Sequence, residues 1–258
     1  MSGRLPGKTA VVVGAAGRDN AGQAIARRFA REGAKVLVAG RREEPLKALA
    51  VEIGGHHALV DIRYRAEVQA LRDTALAKLG GRVDILVNCA GIGLLRPLEE
   101  VTDEDLELMS ALQFKGVHHL LQAFVPVMAG QGGGAILQVS SATTDRVIDN
   151  HAAYIATKAA GDALIRAIAN QYGARGIRAN SLVPGLMATP MTADVMQVPG
   201  LEERFAREYP LGRIGTVEDL AAAAVFAASD ECFMTGQALQ VNGGLTLRRN
   251  PTSAELFG

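Results

Sequence analysis

The chain has 258 residues, 48% of them hydrophobic, with 27 basic side chains against 27 acidic ones. That length suits one large α/β domain with a substantial core. A net charge of zero gives no electrostatic case for nucleic acid or an anionic membrane, and no apolar run approaches the roughly 18 residues of a membrane span.

The opening segment, Met1-Ser-Gly-Arg-Leu-Pro-Gly-Lys8, has no signal-like apolar stretch before the first strand, so a cytosolic protein is expected. Short β-branched apolar runs then alternate with helical patterns. Strands are predicted at Thr9–Val13, Lys35–Ala39, His57–Val60, Val83–Val87, Ala135–Val139, Arg178–Val183 and Leu239–Val241. Helices are predicted at Ala21–Glu32, Glu43–Ile53, Tyr64–Leu79, Thr102–Met128, Ala152–Tyr172 and Thr216–Ala228. This alternation predicts an α/β fold, a single domain over 1–258 built on a doubly wound parallel sheet of about seven strands with helices on both faces. One long irregular stretch, Pro184 to Pro210, breaks the pattern late. An insertion at about 186–212 is therefore expected to act as a substrate lid.

The turn after the first strand reads Gly14-Ala-Ala-Gly17-Arg-Asp-Asn20-Ala-Gly22 and opens a helix. Glycines there let backbone approach a pyrophosphate, and the helix start supplies amide donors. An ordinary strand-to-helix turn would also use glycine, so the turn alone leaves both readings open.

Tyr154 and Lys158, in Ala153-Tyr-Ile-Ala-Thr-Lys158, are the most informative pair. Four residues apart on a helix, they share one face about 6 Å apart along the axis. An ammonium beside a phenol favours the phenolate and brings it toward neutral-pH acid/base work. Ser141 ends a strand-like run 13 residues upstream of Tyr154. Its hydroxyl is the expected clamp on a substrate oxygen, with Ser140 as the rival. No Gly-x-Ser-x-Gly elbow surrounds Ser141, which disfavours a serine hydrolase.

Together these motifs resemble the short-chain dehydrogenase/reductase family, in its smaller soluble form, over roughly residues 6 to 246. The matching pieces are Gly14 through Gly22, Asp61, Asn88-Cys-Ala-Gly91, Ser140-Ser141, Tyr154 with Lys158, Asn180-Ser-Leu-Val-Pro-Gly185 with Thr189, and Val241-Asn-Gly-Gly244. The resemblance implies a Rossmann-type fold, a nicotinamide cofactor and interconversion of a small-molecule alcohol and ketone. It implies that Gly14, Arg18, Asn20, Ala21 and Gly22 hold the cofactor's phosphates. Asp61 and Ile62 would flank the adenine, while Asn88, Ala90 and Gly91 line the site. Tyr154 and Lys158 would meet the nicotinamide ribose, and Pro184, Gly185 and Thr189 the carboxamide end. A 3-oxoacyl or enoyl thioester reductase of the same family, or a catalytically weakened nucleotide-binding regulator, are the alternatives.

Three departures from the family pattern stand out. Val13 replaces a Thr and the turn is longer, with Asn20 where a Gly is usual. Cys89 sits where the family has a second Asn. Gln113 occupies the position of an Asn that completes a Ser-Tyr-Lys-Asn relay; it serves that relay with an extra methylene, or it merely packs. Cofactor choice is read from Gly40-Arg41-Arg42: no acid is present to take a ribose 2′-hydroxyl, and two arginines suit a 2′-phosphate. NADP is expected, with NAD possible.

Cys89 and Cys232 fit neither a disulfide framework nor a metal cluster. His56-His57 and His118-His119 diverge as sequence neighbours, so no metal is expected. His151 is a substrate contact or simply a polar loop residue. Met187, Met191, Val195, Met196 and Val198 give an adaptable apolar wall. Apolar and small residues over more than one face of the helices Thr102–Met128 and Ala152–Tyr172 point to a homo-oligomer, a tetramer on the family's precedent.

Overall fold

In the computed structural model, which describes residues 3–257, the strands form one parallel sheet of seven in the order β3-β2-β1-β4-β5-β6-β7. These are β1 Thr9–Val13, β2 Lys35–Gly40, β3 His56–Leu59, β4 Ile85–Asn88, β5 Gly134–Val139, β6 Ile177–Pro184 and β7 Ala238–Val241. β1 is buried along its whole length and its side chains alternate between two cores. Val12 packs with Ile25 and Phe29 of α1 (Ala21–Arg31), Leu49 of α2 (Glu43–Ile53) and Leu220. Val11 and Val13 pack on the other face, with Leu71 of α3 (Arg65–Leu79) and Phe124. Period-2 alternation in strands covered on both sides thus yields two apolar layers from nearly unbroken apolar runs. β3 and β7 are the outer strands, each paired on one side only, and the β3 residues His56–Leu59 are partly to fully exposed.

The helix predicted over Thr102–Met128 is not continuous. α4 (Asp103–Ser110) gives way to a π-turn at Ala111–Lys115 before α5 (Gly116–Gly130) resumes. The widened turn carries Gln113 into the interior, where it is 2% exposed, and such turns concentrate at functional sites. α4 begins with a capping box: the Thr102 hydroxyl accepts the Asp105 backbone N–H and the Asp105 carboxylate accepts that of Thr102. The strand predicted from Val83 starts at Ile85; just before it the Asp84 carboxylate accepts both the backbone N–H and the hydroxyl of Thr9, each at 2.9 Å.

α6 (Ala152–Tyr172) matches its sequence prediction. The irregular stretch after β6 contains a helix the sequence reading did not give, α7 (Leu201–Glu208), before α8 (Val217–Ala228). α7 buries only Leu201 and Phe205, too brief an apolar stripe to register as helical periodicity. A last short helix, α9 (Ser253–Phe257), was likewise missed. Among the described residues no helix is long and apolar enough to cross a membrane.

The order of the sheet reverses between β1 and β4. Ligands of open parallel sheets bind at such a point, outside the carboxyl ends of the strands.

Candidate active site

A cavity of about 890 Å³ opens there, and its lining runs from Gly14 and Arg41 at one end to Phe205 and Leu256 at the other. The nucleotide end is shaped by glycine. Gly14 has φ +87°, and a Cβ on it would lie 2.5 Å from the Ala90 backbone nitrogen. A Cβ on Gly22 would lie 2.8 Å from the Gly14 carbonyl oxygen. Both positions therefore need glycine, one for its backbone and one for close packing of the helix start. Asn20, where a glycine was expected, laces the turn instead. Its Oδ1 accepts the Gln23 N–H at 2.9 Å as the α1 cap, and its Nδ2 donates to the Gly14 carbonyl at 2.8 Å. The longer turn is thus closed by a side chain, and the α1 amides remain at the cavity edge.

Ala21, Asp61, Ile62, Ala90, Gly91, Pro184, Gly185 and Thr189 all line the same cavity. Arg42 Nη2 donates to the Ala16 carbonyl at 2.7 Å, which ties the second strand's end to the turn. Arg41 is exposed at the cavity edge. Hydrogen bonds from Arg63 hold the Asp61 carboxyl below its usual range. Two expected cofactor residues lie apart from the lining: Arg18, whose side chain is 94% exposed beside Asp19, and Asn88. Asn88 instead buttresses the sheet, donating to Gln138 Oε1 at 2.9 Å and accepting the Ala90 N–H at 3.0 Å.

The reacting end centres on α6. Tyr154 is 8% and Lys158 6% exposed, with Nζ 5.6 Å from the Tyr154 ring centroid. Lys158 Nζ donates to the Val139 carbonyl at 2.9 Å, fixing the ammonium under the end of β5. The two serines separate clearly. Ser140 Oγ donates to Asp162 Oδ2 at 2.6 Å, and Ser181 Oγ donates to Oδ1 of the same carboxylate at 2.6 Å. Ser140 is consumed by that buried network, whereas Ser141 Oγ pairs only with Thr143, 2.9 Å from its Oγ1.

Gln113 lies behind this face rather than in the cavity lining. Its Nε2 donates to Thr157 Oγ1 at 3.0 Å, while its buried Oε1 has no partner. A Cβ on Gly91 would sit 3.2 Å from that oxygen and 3.3 Å from Lys158 Nζ. The unpaired acceptor and the ammonium therefore flank the same glycine.

Burial pushes the Cys89 thiol up to about 12, so it is an inert wall residue beside Lys158. The His pairs diverge: His119 Nδ1 meets the Ile62 carbonyl at 3.0 Å while His118 is exposed. His151 packs against the Tyr154 ring at a 42° tilt with centroids 4.6 Å apart, and burial lowers its pKa. Of the polar residues between Ser141 and Tyr154, Asp149 reaches the cavity; Asp145 instead accepts Gln240 Nε2 at 2.9 Å.

Sequence reasoning missed Tyr209. Its hydroxyl accepts the Leu186 N–H at 2.6 Å and packs against Gly185, where a Cβ would overlap it. It also missed the tail residues Asn250, Ser253 and Leu256, which line the far end of the cavity. No local motif marks any of these.

A family model described as enoyl-(acyl carrier protein) reductase matches residues 14–246. D-threitol dehydrogenase of Mycolicibacterium smegmatis is 35% identical over 251 residues, covering 95% of this chain and 95% of that protein. The chain belongs to the short-chain dehydrogenase/reductase family. A member of this family from Mycobacterium ulcerans superposes with a TM-score of 0.91 at 31% identity, over 96% of this chain and 92% of that one. A gluconate 5-dehydrogenase from Burkholderia cenocepacia J2315, solved with NADP and tartrate, gives 0.90 at 32% identity, over 95% and 97%. The short-chain dehydrogenase/reductase described here is therefore an oxidoreductase, and a nicotinamide nucleotide is the cofactor type its family and its glycine-walled cavity support.

Proposed function

We propose that this protein is an NAD(P)-dependent enzyme interconverting a secondary alcohol and a ketone, with Tyr154 as general acid/base. The observation that carries the reading is that Ser141, Tyr154 and Lys158 line one cavity with the Gly14–Gly22 cradle. A nicotinamide nucleotide bound there supplies or accepts the hydride. The chain's own groups handle the proton. Tyr154 gives it to the carbonyl oxygen in reduction and takes it from the alcohol in oxidation. The Ser141 hydroxyl, free of Asp162 and oriented by Thr143, donates to that same oxygen as charge develops. Lys158 places a positive charge beside the phenol ring, and Gln113 offers its unpaired Oε1 behind Lys158 as the next station of a relay.

NADP is the preferred nucleotide on this reading. Arg41 is the exposed guanidinium at the end of β2, and no acid precedes Glu43 there. The segment at about 186–212, including α7, acts as the substrate lid. A homotetramer is supported by the exposed small face of α6 at Ala159, Ala163 and Ala167, and by Phe114, 39% exposed beside α5. The free thiols Cys89 and Cys232 suit a reducing cytosol.

Thioester reduction is the second reading, favoured by the description of the matching family model; the alcohol named in the threitol relative favours the first. Intact Ser141, Tyr154 and Lys158 argue against a purely regulatory role. A panel of ketones, secondary alcohols, polyols and acyl thioesters, assayed by NADPH absorbance, tests the proposal. Turnover with an alcohol or ketone is expected. Turnover confined to thioesters, or none with any member, overturns it.

A further inference from the structure

Beyond Ser141 and Tyr154 the cavity is enclosed by segments far apart in sequence: Leu94 after β4, Ile148 and Asp149 after β5, and Asn250, Ser253 and Leu256 in the tail. The tail is fastened to the chain's own loops. Ser253 N–H donates to Asp149 Oδ2 at 3.0 Å, and Asn250 Nδ2 donates to the Arg146 carbonyl. Arg249 holds Glu255 at 2.7 Å within the tail.

The charges at this end are one-sided. Asp149 and Asp194 line it. Among the described residues, the cationic side chains in the cavity lining are Arg41 and Arg42 at the β2 end and Lys158 at the reacting centre. Three guanidinium groups lie outside the lining: Arg96 is paired with Asp105, while Arg146 and Arg204 donate to backbone carbonyls and keep their charge behind the wall. Both carboxylates are exposed at the rim, so their field acts on an incoming molecule through water and is open to screening by salt.

We propose that this site selects an uncharged hydroxylated substrate and disfavours carboxylate- or phosphate-bearing ones, because Asp149 and Asp194 line the substrate end while no Lys or Arg lines it beyond Lys158 at the reacting centre. The inference rests on the alcohol-oxidoreductase reading and narrows its substrate class. The apolar wall of Leu94, Ile148 and Leu256 takes the carbon body, while an anionic substituent at this end would meet two like charges.

The test uses a pair of nearly equal size, 4-hydroxycyclohexanecarboxamide and 4-hydroxycyclohexanecarboxylate, with the full chain and NADP. The amide is expected to exceed the carboxylate in kcat/KM by about tenfold or more at low ionic strength. The gap should narrow as salt is added. It should narrow equally in the Asp149→Asn, Asp194→Asn double variant, in which residue 149 keeps an oxygen for the Ser253 N–H. Salt dependence of the unsubstituted enzyme decides the matter should that variant fold poorly. Equal or better use of the carboxylate overturns the inference, as does a gap indifferent to salt. If neither compound turns over, the alcohol reading fails for this pair, and calorimetric titration of both into the NADP-loaded protein still decides the charge preference by the same criteria.

Discussion

The hydroxyl of Tyr209, at the end of α7, accepts the backbone N–H of Leu186 at 2.6 Å, just past β6. Burial pushes that phenol up to about 12, so it remains a neutral hydroxyl, and its packing against Gly185 fixes the turn that borders the cavity. Tyr209→Phe removes the acceptor and leaves a part-buried N–H unpaired, at about 1 kcal/mol. Lower thermal stability and a severalfold higher KM for the nucleotide are expected, with kcat less affected. Unchanged melting and KM would show that the contact does not hold the turn.

Tyr154→Phe deletes the hydroxyl proposed to carry the proton while the ring still packs against His151. Turnover should fall by about a hundredfold or more, while fluorescence titration of NADPH shows nearly unchanged affinity. Substantial residual activity would mean that another acid does the work.

Arg41→Ala should weaken NADPH about ten- to a hundredfold, the worth of one charge-assisted bond, and weaken NADH little. Equal loss for both nucleotides would sink the NADP assignment. Arg42 is the poorer probe, since its bond to the Ala16 carbonyl makes its removal disturb the turn as well.

Acid should destabilise the protein in two stages. His151 is held below its usual 6.5 by burial, so the unfolded chain binds its proton more readily than the folded one. Its contribution is complete above about pH 6.5 and is lost as pH falls below that value. Asp219, whose carboxyl is lowered by Arg213, and Asp61, lowered by Arg63, act later. Their stabilisation is present above about pH 4 and is lost as pH falls toward their folded values. Melting temperature followed from pH 7 to 5 should drop less in His151→Gln than in the unsubstituted protein. Identical curves in that window would remove His151 from the account.

Light scattering at micromolar concentration should report a mass near four times the 27.1 kDa chain. A single species at the chain mass would refute assembly. Lysine at Ala163, on the exposed face of α6, should dissociate the oligomer without unfolding it.

The sheet was legible because its central strands β1 and β4 are short apolar runs bounded by turns and buried along their whole length, while the outer strands β3 and β7 carry polar residues and are partly exposed. β1 and α6 fall where periodicity puts them. Helix spacing put Tyr154 and Lys158 on one face, and the resemblance to the short-chain dehydrogenase/reductases added Ser141; the structure brings all three to one cavity. Tertiary structure decided what periodicity cannot encode. The π-turn that carries Gln113 inward interrupts a helix whose pattern continues through it. The difference between Ser140 and Ser141 is also tertiary: Asp162, on α6, accepts the Ser140 hydroxyl and leaves that of Ser141 to Thr143. Asn20 closing the glycine turn, Tyr209 on Leu186, and the tail against Asp149 are contacts between side chains and distant or looping backbone. Local propensity carries no trace of such contacts, because their energy exists only once the chain has brought both partners to the same edge of the sheet.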